Sequence, residues 1–171
     1  MIFSQGQREL AIRAMDEAEE RTTKYYCIPP YRWEEIRFDM LTCQDREWEP
    51  LPDAVLARVQ LLQRLNSGRV DPYSFYRIQL NDPGILTAAQ RENLASNLYP
   101  FLVYILTHEM VHVVRLNTIL GDPTSLPPFD ESEERRVQRI SHQILTRSSQ
   151  FGHLLERFGR AQTKIHRKLD L

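Results

Sequence analysis

Five residues, His108-Glu109-Met110-Val111-His112, sit inside the otherwise apolar run YILTHEMVHVVRL, residues 104–116. On an α-helix, residues four apart stand one above the other on the same face. His108 and His112 can then aim one ring nitrogen each at a shared cation. Glu109 is rotated by about 100° from His108, given roughly 3.6 residues per turn. That is too far round to ligate comfortably, yet near enough to reach a water on such a cation. Two ligands and a general base on one helix is an arrangement suited to metal-assisted hydrolysis. With five His and fourteen Glu in 171 residues, random placement gives about 0.01 copies of this pattern. The structural alternative is a pair of histidines hydrogen-bonded in a helix bundle. It must also explain Glu109, which is costly to bury unpaired beside Leu106 and Val113.

A catalytic zinc takes three protein ligands and keeps one position for water. The extended metzincin pattern fails here, because Arg115 and Thr118 stand where it needs Gly and His. The histidine that SprT-like proteases carry soon after the motif is missing too, the next one being His142. Instead, an acidic cluster, DESEERRVQRIS (130–141), lies about twenty residues after His112. This arrangement resembles gluzincins, in which the third ligand is a glutamate on a second helix. EERRVQRIS is similar to the glutamate helix of small bacterial gluzincins, the minigluzincin-like core. Their pattern is a ligand Glu, a small or apolar residue three on, Asp or Asn four on, and a small residue seven on. Glu134, Val137, Gln138 and Ser141 fill those places, with Gln138 departing from the pattern. Gln138 can still hold a ligand histidine by accepting its second N–H. The resemblance covers residues 100–146.

Three glutamates compete for the third position. Glu131 points away from the apolar stripe Val137, Ile140, Ile144 of the expected helix. Glu133 falls at N3 after an Asp130 cap, where a capping box is its ordinary use. Glu134 lies on the flank of the stripe and is the preferred ligand, with Glu133 the alternative.

The resemblance implies a zincin-like fold, one zinc ion on His108, His112 and Glu134, and Glu109 as general base in peptide-bond hydrolysis. The substrate would be a peptide or a particular protein. Such enzymes add an oxyanion-stabilising group, for which His142, Tyr73, Tyr76 and Arg115 are candidates. They also bind extended substrate along an edge strand before the active helix. YSFYRIQLN (73–81) stands in that order, with an internal strand the equal alternative. The reading from a different class is a zincin-fold metal-binding regulatory or interaction protein without protease activity.

The rest of the chain must position these groups. Hydrophobic residues make up 42% and charged residues 26% of the sequence, which is enough apolar material for a core. The expected fold is α+β, mostly helical with a small sheet, in one domain over 1–171. Within it, about 1–70 form an N-terminal helical and strand region, 71–148 the metal-site core and 149–171 a C-terminal helical extension. A helix is predicted over about 5–22 with Ser4 as N-cap, and a strand in EIRFDMLT (35–42). AVLARVQLLQRL (54–65), with helical apolar spacing after Asp53, is expected as a helix, and YSFYRIQLN alternates as a strand until the turn NDPG (81–84). Thr87 is expected to cap a helix over 88–98. Pro100 opens another that carries the motif to about 117. GDPTSLPPF (121–129) reads as a rigid loop. Asp130 caps a helix to about 148, with a last helical stretch after it.

The net charge of −1 gives no general argument for nucleic acid. It conceals nine Lys/Arg against two acids in 135–171, a net of +7 that leaves −8 for residues 1–134. A solvated helical face or intramolecular pairing is the plainest use of that basic end. Cys27 and Cys43 have neither metal-knuckle nor scaffold spacing and are expected as buried or half-buried thiols. Trp33 and Trp48 read as packing, and His153 and His166 as surface residues. No h-region and no 18-residue apolar run occur, so a cytoplasmic protein without a membrane span is expected.

Overall fold

The computed structural model describes residues 1–63, 74–118 and 131–165. The loop expected at GDPTSLPPF, the Asp130 cap, Tyr73 and His166 lie outside them.

Helix α1 (Gln5–Tyr25) starts on the expected Ser4 cap. Ser4 Oγ accepts from the Gln7 amide at 3.3 Å and Gln7 Oε1 accepts from the Ser4 amide at 2.8 Å, a reciprocal box that satisfies two helix-end donors. Its buried face is Ala11, Ala14, Met15, Ala18 and Thr22. Those mostly small side chains let it lie close against the central helix. It ends where Cys27 takes a φ of 52°, after which Pro29 and Pro30 allow only the short turn α2 (Pro30–Trp33).

The sheet has three strands: β1 (Arg37–Leu41), β2 (Ala57–Gln63) and β3 (Ser74–Leu80). Their order is β1-β3-β2. β1 runs parallel to β3 with Phe38 opposite Tyr76. β2 runs antiparallel to β3 with Val59 opposite Ile78 and Leu61 opposite Tyr76. One expectation is corrected by this sheet. The described part of 54–65 is not helical, since Ala57–Gln63 is β2. Val55, Leu56, Val59, Leu62 and Leu65 have helical spacing, but Ala57, Val59 and Leu61 also alternate with period two, and these three pack on the core. Pairing with β3, distant in sequence, decides between the two periods. Of the two alternatives held open for YSFYRIQLN, the internal strand is the one found, since β3 lies between β1 and β2.

Helix α3 (Asp82–Arg91) starts six residues earlier than the Thr87 cap implied. Asn81 is the true cap. Its Oδ1 accepts from the Gly84 amide at 3.2 Å, and Pro83 occupies the first turn. NDPG therefore opens a helix where a plain turn was expected. Gly84 is needed, since a Cβ there would stand 2.9 Å from Asn81 Nδ2. The carboxylate of Asp82 is fully buried. It accepts from the Phe3 amide at 3.0 Å and the Cys43 amide at 3.3 Å, joining the amino terminus to the loop after β1.

Helix α4 (Leu98–Thr118) has Pro100 in its first turn and is buried from Phe101 to Leu116. A helix buried all round is a core helix. α1, α5 (Glu131–Leu145), β2 and β3 all pack against it. α6 (Gly152–Ile165) adds Leu154 and Phe158, whose ring stacks on Phe101 at 5.0 Å. The fold is thus α+β, mostly helical with one small sheet. No helix among the described residues is long and apolar enough to cross a membrane.

Trp33 packs against Phe38, and Trp48 Nε1 donates to the Leu80 carbonyl at 2.8 Å, both in packing roles. Cys43 is half-buried as expected, whereas Cys27 is exposed, carried outward by its turn. His153 is exposed. From the basic end, Arg157 pairs with Glu92 at 2.7 Å, and Arg147 covers the Tyr25 ring at 5.5 Å.

Candidate metal centre

The middle of α4 carries His108 and His112 one turn apart, and the first turn of α5 faces them. His108 Nε2 lies 2.8 Å from Glu134 Oε1, and His112 Nε2 lies 3.2 Å from Glu134 Oε2. The two rings are 5.0 Å apart and inclined at 71°. Ligand atoms of the three residues lie within 4.8 Å of one another. Both histidines are buried, while the Glu134 side chain keeps 22% exposure. Two imidazole nitrogens and a carboxylate oxygen form a donor set that suits a first-row divalent ion. These three residues could hold one.

Electrostatics follow from the burial. Burial pushes the Glu134 carboxyl up, but hydrogen bonds and attraction from His108 and His112 outweigh it and hold the carboxyl far below the usual range. Burial pushes His108 down, yet the Glu134 hydrogen bond and the charges of Glu134 and Glu109 leave it raised. Glu109 is 7% exposed. Burial lifts its carboxyl above the ordinary value, against the pull of His108 and His112. A carboxylate shifted that way is a better proton acceptor near neutrality than a solvated one.

The two adjacent glutamates face different partners. Glu133 is gripped by Arg115 of α4: Nε donates to Oε1, and Nη2 donates to Oε2 at 2.9 Å. Both residues are largely buried. Glu133 therefore faces an arginine and Glu134 faces the histidines. Gln138 is half-buried and makes no hydrogen bond to either histidine among the described residues.

The oxyanion candidates separate as well. Arg115 is engaged with Glu133. Tyr76 is buried, and its hydroxyl donates to Asn117 Oδ1 at 3.4 Å in the last turn of α4. His142 is half-buried, with Nε2 3.4 Å from the Tyr104 hydroxyl. Burial first, and then the nearby charge of His108, lower the affinity of His142 for a proton. Tyr104 stands four residues before His108, and burial together with the Glu134 charge raises its hydroxyl well above the usual phenol range. Sequence reasoning missed both Tyr104–His142 and Arg115–Glu133. The spacing held a signal for them, since Tyr104, His108, His112 and Arg115 succeed one another at four, four and three residues on one helical stripe.

Two cavities lie away from the cluster. One of about 640 Å³ is bounded by Tyr26, Pro29, Tyr31, Arg32 and Asn117, and one of about 570 Å³ lies between α1 and α5. None of the metal-ligating candidates lines either cavity. Comparison with protein-family models, curated proteins and solved structures gave no match, so the case for this centre stands on its geometry.

Proposed function

We propose that this protein is a zinc-dependent peptidase of the gluzincin kind, acting on peptides or on a specific protein. The observation that carries this reading is the convergence of His108, His112 and Glu134, with Glu109 buried on the same helix as the two histidines. Zinc at such a centre supplies Lewis acidity, which acidifies water and polarises a carbonyl. The chain itself supplies the proton transfers. Glu109, lifted by burial, accepts the proton of the attacking water and passes it to the departing amine. His108 and His112 hold their donor nitrogens toward Glu134, and the rigid, buried α4 keeps all three groups in register.

Extended substrate would pair with β2. Among the described residues, β2 is an edge strand bonded only to β3, and it packs against α4. Its outer backbone groups suit β-augmentation by a peptide. This replaces β3, whose two edges are taken by β1 and β2.

The test is elemental analysis of chelator-free protein, followed by hydrolysis assays on a peptide library. About one zinc per chain in the wild type, lost in His112→Ala and in Glu134→Ala, is expected. Glu109→Gln should keep the zinc and lose hydrolysis. A wild type that takes up no zinc on reconstitution would sink the proposal. Full zinc occupancy without hydrolysis of any peptide would instead favour the metal-holding regulatory protein.

A further inference from the structure

Glu133 and Glu134 are neighbours on α5, about 100° apart around its axis, and they are the same functional group. Either could in principle swing toward the histidines. On α4, Arg115 comes three residues after His112 and seven after His108, so the three share one stripe. The first turn of α5 therefore touches that stripe twice, Glu134 on the histidines and Glu133 on the guanidinium. Val137, Ile144 and Leu145 seat the body of α5 through buried apolar contacts, and the two carboxylate contacts set how its first turn meets α4. A fork-to-fork Arg–carboxylate pair is the most directional contact available for that. Because Arg115 engages both oxygens of Glu133, that carboxylate is also prevented from competing for a cation. Burial of the pair on both sides keeps water from loosening it.

We infer that Arg115 is a positioning residue for the metal centre: its grip on Glu133 sets how the first turn of α5 presents Glu134 to His108 and His112. The inference rests on the metal-site reading proposed above, and it assigns Arg115 no contact with the ion or with substrate.

The experiment measures zinc dissociation constants of the apoprotein by competition with a chromophoric chelator. It is run at a temperature where circular dichroism shows every variant folded. Arg115→Ala should weaken zinc ten- to a hundred-fold, the usual effect of losing an outer support of a ligand. The exchanged pair, Arg115→Glu with Glu133→Arg, should recover most of that loss, which a merely structural role would not require. If Arg115→Ala does not fold, Glu133→Gln carries the same expected weakening in the same assay. Wild-type affinity in the folded Arg115 or Glu133 variant would overturn the inference, and so would a loss that the exchanged pair leaves unrepaired. Wild-type affinity in His112→Ala is a different result. It would remove the metal centre itself, and the inference with it.

Discussion

Glu109 is the residue on which the proposed chemistry turns. Its carboxyl is buried and raised above the ordinary range. Substitution by Gln keeps the shape and removes the proton acceptor. If the protein is a peptidase, Glu109→Gln should lower kcat by about 10²–10⁴-fold, the range for loss of a general base, with KM little changed. Steady-state kinetics alongside zinc content would check both halves. The residue scale is also where the sequence was most legible. His108 and His112 were readable because helical spacing puts residues four apart on one face, and the structure gathers them with Glu134, the preferred glutamate. What spacing did not show was how Glu133 would be held aside. That depended on Arg115, which stands on the other helix and meets Glu133 only once the two helices pack.

At the scale of elements, α1 is held by contacts of two kinds. Along its apolar side, Ala11, Ala14 and Ala18 have no exposed surface, so added volume has nowhere to go. Ala14→Leu should reduce the unfolding free energy by about 1–3 kcal/mol, the ordinary cost of overpacking, measured by urea titration. Along its polar side, Glu17 accepts from Tyr99 at 2.5 Å and from Gln150 at 3.1 Å, and pairs with Arg21 at 2.8 Å. These contacts link α1 to the first turn of α4 and to the turn before α6. Burial acts to raise the Glu17 carboxyl, but the Tyr99 and Arg21 bonds prevail and hold it below its ordinary value. A depressed carboxyl stabilises the fold above its unfolded pKa and loses that contribution as pH falls through the folded one. Glu17→Gln should therefore be less stable than wild type at pH 7, and the gap should close as pH drops below about 4.5. Denaturant midpoints of both proteins across pH 3–7 would decide it. Element types were partly legible for physical reasons. α1, β1, β3, α4 and α5 carry local signals strong enough to survive packing. β2 did not, because its apolar residues fit two periods and its partner strand made the choice. The start of α3 was hidden because Asn-Asp-Pro-Gly serves a helix cap and a turn equally well.

For the whole molecule, the candidate ligands come from two helices that meet only in the folded state. A metal bound there stabilises the native chain by mass action, by about 2.7 kcal/mol when free metal is a hundred times its Kd. Thermal unfolding of the zinc-loaded wild type should move to higher temperature and fall back on adding chelator. His112→Ala should melt at the same temperature with and without zinc. The overall arrangement was legible as a helical α+β chain. The burial of α4 was also foreseeable, since apolar residues flank His108, Glu109 and His112 on both sides in YILTHEMVHVVRL.

Asp82 has one consequence that concerns turnover. Its buried carboxylate depends on the amide of Phe3 for one of its two donors, while Met1 and Ile2 remain exposed. Cleavage ahead of Phe3 therefore leaves the core untouched. Loss of Phe3 itself removes a donor from the buried Asp82 carboxyl and, in the same residue, a ring that is 1% exposed. A chain cut after Phe3 should thus be abruptly less stable than one cut before it, so that this one residue sets where proteolysis stops being tolerated by the folded protein.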